Sequence, residues 1–193
     1  MPSRPKNVGG EVRALSSKEI EKIEVTISNS ANEMRDGAIF HLTVNAGFRI
    51  SELVSLKIDD VFSANIVRER ITVGSFGKKT KSNRHISLER KAAKAVARHA
   101  RFRLASGASP SDPLFCAARN PKKHLTTNVA WDILRTNLVK AGLGHVSSNS
   151  LRHTYARKLL LRGVSLKNLN ECLGHKSLQT SGAFLQRLIE SSQ

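Results

Sequence analysis

One stretch near the middle of the chain, residues 66–88, interrupts an apolar pattern that is otherwise helical. Ile66-Val67 and Ile71-Thr72-Val73 are short and β-branched, and His85-Ile86-Ser87-Leu88 alternates polar with apolar, the period of a half-buried strand. Between the last two runs lies Gly74-Ser75-Phe76-Gly77-Lys78-Lys79-Thr80-Lys81-Ser82-Asn83-Arg84, rich in turn formers and lysine. This pattern predicts a small antiparallel sheet with a basic hairpin tip. The fold class that follows is α+β, mostly helical, with the sheet at one edge.

The flanks supply the helices. Ser16-Ser17-Lys18-Glu19 reads as a capped start, with Glu19 and Glu21 favouring the positive helix end, and the helix runs to about Ser28. A second helix covers roughly Asn32 to Ala46 and ends at Gly47; a short third runs from Arg49 to about Leu56. After the strands everything reads as helical: Glu89 to Ala105, Thr127 to Lys140, Ser150 to Leu161, Ser165 to Leu173 and Ser177 to Ile189, with a loop at Ser106 to Asp112. A chain of 193 residues suits one core and would be cramped as two. We therefore read residues 1–15 as a basic N-terminal arm and residues 16–193 as one domain.

Charge narrows the partner. Lys and Arg number 32 against 15 Asp and Glu, a formal net charge of +17. Such an excess repels itself unless a polyanion offsets it, and nucleic acid fits best because each neutralised phosphate releases counterions. A membrane surface fits less well, and charge alone leaves RNA open. Lys91, Lys94, Arg98 and Arg101 recur every three or four positions and so share one helix face, either a solvated stripe or a track for DNA phosphates. Cys116 and Cys172 have no metal-type spacing, and no apolar run is long enough to span a bilayer. The expectation is a cytoplasmic, nucleoid-associated protein without membrane or metal.

Three segments carry a shared signal: Gly47-Phe48-Arg49-Ile50-Ser51-Glu52-Leu53, Leu151-Arg152-His153-Thr154-Tyr155-Ala156, and Leu173-Gly174-His175-Lys176-Ser177-Leu178-Gln179-Thr180. In order, they resemble the first-arginine, second-arginine and leucine-glycine-histidine boxes of the tyrosine site-specific recombinase (phage integrase) family, catalytic domain. The resemblance covers nearly the whole chain from about Leu15. It implies that Arg49, Arg152 and His175 surround a scissile DNA phosphate. Two planar guanidiniums suit that task, because they grip non-bridging oxygens in fixed geometry while charge builds up on them. A hairpin lysine serves the family as general acid to the departing 5′ oxygen; here Lys79 is slightly favoured and Lys78 is the alternative. Lys78, Lys81, Arg84, Lys91, Lys94, Arg98 and Arg101 are the residues expected to contact duplex DNA.

Two positions depart from the family pattern. The histidine usually found three residues before the second arginine is replaced by Asn149, which cannot exchange a proton near neutral pH. His145 lies four residues upstream. The nucleophilic tyrosine belongs nine residues after His175, and Phe184 stands there. A phenyl ring fills the space but offers no oxygen for a phosphotyrosine bond. The single tyrosine, Tyr155, sits within the second box, where the family keeps a buried aromatic. The resemblance therefore implies a DNA-binding, cleavage-dead chain. Phe184 is either an exchange that traps uncleaved DNA or the mark of a naturally non-catalytic DNA-binding regulator. By the same resemblance, the usual N-terminal core-binding domain is absent, no cofactor is needed, and the chain is a monomer when free and a homo-tetramer on DNA.

Overall fold

The computed structural model describes residues 13–73 and 84–174. Helix α1 (Ser17–Ser28) opens with a capping box: the Ser16 hydroxyl accepts from the Glu19 backbone N–H, and the Glu19 carboxylate accepts from that of Ser16. Its Ile20, Ile23 and Ile27, at helical spacing, form the buried stripe. Helix α2 (Glu33–Val44) is buried on several sides because α1, α5 (Arg90–Ala105), α6 (Thr127–Lys140) and α7 (Ser148–Leu161) all pack on it. Asp36 is enclosed there by Arg35, Ser30 and the Asn137 amide, whose Nδ2 lies 3.2 Å away. That contact locks α2 to α6.

Helix α3 (Ile50–Val54) and the single-turn α4 (Ile58–Val61) lead into three two-stranded antiparallel sheets. In the first, β1 (Phe62–Ser63) pairs with β2 (Ile66–Val67) across Ala64 and Asn65, both left-handed at φ 49° and 62°. That is the backbone of a tight hairpin turn. Alanine is an unusual residue for it, so the sequence hides the turn; Arg101 holds it by donating to the Asn65 side chain and carbonyl. In the second, β3 (Arg70–Val73) pairs with β4 (Arg84–Ser87) in the register Arg70↔Ser87, Ile71↔Ile86, Thr72↔His85, Val73↔Arg84. Alternation turns Ile71, Val73, Arg84 and Ile86 inward.

The third sheet, β5 (Cys116–Ala117) with β6 (Asn120–His124), corrects the expectation that only helices follow residue 89. Asn120-Pro121-Lys122-Lys123-His124 is almost wholly exposed, so it carries no apolar alternation to read. It is held by the buried face of α5, where His99 meets the Leu114 carbonyl at 2.9 Å and Arg103 donates to the carbonyls of Pro113 and Pro121. Helix α8 (Leu166–Leu173) packs on α7 through a small cluster of Tyr155, Ala156, Leu169 and Leu173, separate from the main core. The segment expected to form a final helix, Ser177 to Ile189, lies outside the described residues. Residues 13–15 do not hang free: Leu15 is buried, its N–H bonds the Thr154 hydroxyl, and Arg13 pairs with Glu19.

Candidate functional site

The site starts at the end of α2. Gly47 takes φ +65°, and a Cβ there would come within 2.4 Å of the Tyr155 ring. Only glycine meets both demands. The turn aims the Gly47 carbonyl at two guanidiniums, Arg152 Nη1 at 2.5 Å and Arg84 Nη2 at 3.2 Å. Two residues on, Arg49 occupies the N-cap of α3, and the Glu52 carboxylate reaches back to it. Glu52 Oε2 accepts from the Arg49 backbone N–H at 2.8 Å, and Oε1 from Arg49 Nη1 at 2.7 Å. The same Oε2 receives Arg84 Nη2 at 2.5 Å.

The far wall is the C-terminal turn of α8. A helix end leaves its last carbonyls without intrahelical donors and carries partial negative charge. Here Arg84 donates to the Cys172 carbonyl, Arg152 and Arg49 to that of Leu173, and Arg49 also to that of Gly174, at 3.0 Å. Gly174 is left-handed at φ +61°, and a Cβ there would lie 3.0 Å from Arg84 Cδ. Residues 124 and 125 positions apart are thus tied into one cluster.

Electrostatically the cluster is unbalanced. Three guanidiniums face one carboxylate and a set of carbonyl dipoles. Burial pushes Arg152 down to about 9, and the charges of Arg49 and Arg84 push the same way. Arg84 is shifted down as well, first by burial. Burial works to raise Glu52, but Arg84 and the Arg49 backbone N–H outweigh it and hold the carboxyl below its usual range. The missing negative charge has a place to go. Arg49 and Arg152 border an open cleft of about 430 Å³, shared with Thr43, Phe48, Ile50, Ser51, Thr127, Ser148 and Asn149. Thr127 and Ser148 open α6 and α7, so the positive ends of two long helices also face this space. The arrangement suits an oxyanion.

The structure brings Arg49, Arg152 and Asn149 together, the last two one turn apart on α7. His175, Phe184, Lys78, Lys79 and Lys81 lie outside the described residues, although Gly174, next to His175 in sequence, touches Arg49. His145 borders no part of the cleft and instead lies 3.5 Å from Arg13. Tyr155 is buried beneath Gly47, which pushes its hydroxyl up to about 12. Arg84 requires a correction. Expected to contact DNA, it is only 7% exposed, and its guanidinium is enclosed by Glu52, Gly47 and Cys172. The missed signal was parity: residue 84 shares a strand face with the apolar Ile86.

The α5 stripe occupies another face. Lys91 pairs with Glu24 at 2.9 Å and Arg98 with Glu33 at 2.6 Å, while Arg101 lies over the Phe62 ring at 5.3 Å. Lys91, Lys94 and Arg98 border a groove of about 230 Å³ that shares no lining residue with the arginine cleft. Among the described residues no group of three His, Cys, Asp or Glu could hold a metal, and no helix is long and apolar enough to cross a membrane.

A mostly helical α+β frame thus gathers arginines from distant segments beside an open cleft. The model of the phage integrase family matches residues 13–188, and the chain belongs to that family. It is 33% identical over 175 residues to a tyrosine recombinase XerC from Roseiflexus sp. (strain RS-1), covering 88% of this chain and 53% of that protein. It is 31% identical over 157 residues to a tyrosine recombinase XerD from Neisseria meningitidis, covering 80% of this chain and 51% of the relative. The chain thus spans about half the length of these curated relatives. Among solved structures, a XerA recombinase superposes with a TM-score of 0.74 at 27% identity, over 89% of this chain and 59% of that one. The Tn1549 transposon integrase, solved with transposon right-end DNA, shares the fold at TM-score 0.73 and 20% identity, over 94% of this chain and 63% of its own.

Proposed function

We propose that this chain is the catalytic domain of a site-specific tyrosine recombinase that grips one phosphate of duplex DNA between Arg49 and Arg152. The observation that carries the reading is the excess positive charge: three guanidiniums and one carboxylate beside an open cleft of about 430 Å³. His175, next to the Arg49-bound Gly174, completes the clamp, and Lys79, or Lys78, donates the proton to the departing 5′ oxygen. Asn149 can donate a hydrogen bond to the phosphate but cannot act as a base. Phe184 removes the nucleophile, so the chain binds DNA without cutting it. With tyrosine at that position the broken phosphodiester is conserved as a 3′-phosphotyrosyl linkage, and no nucleotide cofactor is needed to reseal it. The working assembly is a homo-tetramer on two duplexes.

A solved relative carries a tyrosine-to-phenylalanine substitution in complex with DNA, which supports reading Phe184 as a trap for the uncleaved state. Asn149 favours a second reading, a naturally non-catalytic regulator that keeps the phosphate clamp for binding. The Phe184→Tyr variant separates them. Incubated with nicked duplexes selected from a randomised pool, it is expected to form a protease-sensitive, detergent-stable protein–DNA adduct that the parent chain does not form. Tight duplex binding with no adduct from either protein would sink the recombinase reading and leave the regulator.

A further inference from the structure

We propose that Arg84 is a positioning residue: it sets the Arg49 and Arg152 guanidiniums through Glu52 and the Gly47 carbonyl without itself touching DNA. The inference rests on the reading of Arg49 and Arg152 as the phosphate clamp.

Among the described residues, Arg84 is the side chain that contacts Glu52, the Gly47 turn and the end of α8 together. Its Nη2 bonds Glu52 Oε2, the carboxylate whose other oxygen holds Arg49 Nη1. The same nitrogen shares the Gly47 carbonyl with Arg152 Nη1. Its Nη1 caps the Cys172 carbonyl, one residue before the Leu173 carbonyl that Arg49 and Arg152 both take. The Arg84 guanidinium also lies over the Phe48 ring at 5.9 Å, so its plane is restrained from a further side. Arg84 opens β4, five residues after Lys79 in sequence, so this side chain ties the start of that strand to the cluster.

Stability is a weak reason for the arrangement. A buried guanidinium gives up its hydration, and an apolar residue of similar volume is often as stabilising. Here the cost is visible: among the described residues nothing accepts from the buried Arg84 Nε–H. What arginine supplies and an apolar residue or lysine cannot is a rigid planar fork with donors in several directions at once. A lysine ammonium could neutralise Glu52 but could not also hold Cys172 and Gly47 in the same geometry.

The test compares Arg84→Lys with the parent chain by two readouts. The first is rotation of the Arg49 and Arg152 guanidiniums, followed by nitrogen-15 spectra of the free protein. Arg84→Lys keeps the charge, so a merely electrostatic role leaves both signals unchanged, whereas loss of the fork is expected to speed rotation about tenfold. The second is duplex binding at fixed salt. Arg49→Ala is expected to weaken the parent about tenfold, but only about twofold in the Arg84→Lys background, because the guanidinium is already misplaced there. Unchanged guanidinium signals with the full Arg49→Ala effect in a folded Arg84→Lys protein would overturn the proposal. Freed guanidiniums with no effect of Arg49→Ala on the parent would keep Arg84 as positioning residue and remove the phosphate reading. Should Arg84→Lys not fold, Glu52→Asp, which shortens the link between the two arginines, is read by the same signals: released rotation supports the proposal and unaltered rotation overturns it.

Discussion

The exposed cations of α5 and the cluster of half-exposed Arg49 with buried Arg84 and Arg152 carry the same formal charge in different surroundings. On α5 the pairing is one to one and wet: Lys91 meets Glu24 with its side chain 63% exposed, and Arg98 meets Glu33 with its side chain 51% exposed. Beside the cleft, Arg49 and Arg84 share the Glu52 carboxylate while Arg152 donates to the carbonyls of Gly47 and Leu173, and Arg84 and Arg152 are buried. Water and salt screen the first group, so its charges contribute little individually. The second group keeps an unmet demand for negative charge that screening cannot satisfy. Net charge therefore does not distinguish the two regions; the local imbalance of buried charge does.

The comparison is most severely tested at the two kinds of carboxylate. Glu52→Gln leaves Arg84 and Arg152 buried without a counter-charge and is expected to cost about 3–5 kcal/mol in urea denaturation, the range for breaking a buried pair. A loss no larger than that from Glu24→Gln would collapse the distinction between the two regions.

A smaller effect comes from the inner face of α5. Burial pushes His99 down to about 4 from an ordinary 6.5, against the Leu114 carbonyl bond, so it is neutral in the fold. The unfolded chain binds that proton first as pH falls. Stability is therefore lost between pH 6.5 and about 4, by roughly 3 kcal/mol, with no further loss from this group below. His99→Gln should flatten that part of the stability–pH curve relative to the parent, and parallel curves would refute the assignment.

The least effect is expected on the exposed stripe. Lys91→Ala and Arg98→Ala should each change stability by less than about 0.5 kcal/mol and duplex affinity by less than about threefold. Salt titration sharpens this. If either substitution lowers the slope of log affinity against log salt by about 0.9, that residue does contact a phosphate and the stripe joins the footprint.

Much of the frame was legible before any coordinates. The serine start with Glu19 and Glu21 placed α1, and the apolar pattern placed α6 at Thr127 to Lys140, each within a residue of where it occurs. Alternation around Ile86 gave β4, and the glycine–arginine–glutamate run gave the turn into α3. Ile66-Val67 read as a strand, but its partner β1, the turn between them and the β5–β6 pair were not legible. Ala64 takes a conformation that alanine rarely adopts, and β6 is fastened from outside by α5 rather than by its own pattern.

Local order determined which residues could be chemical. The two arginine boxes, and the spacings that make Asn149 and Phe184 the candidates for the family's histidine and tyrosine positions, are properties of the linear chain, because they follow from residue type and spacing. Folding alone decided which cations would be spent on surface acids and which would be crowded together. Arg84 stood among the surface contacts until strand pairing turned it inward onto Glu52, and the carbonyls of Cys172, Leu173 and Gly174 acquired a role only when α8 ended against three guanidiniums. The physical reason is that a backbone carbonyl has no residue-specific signature, and a side chain's charge says nothing of its burial until the chain has closed around it.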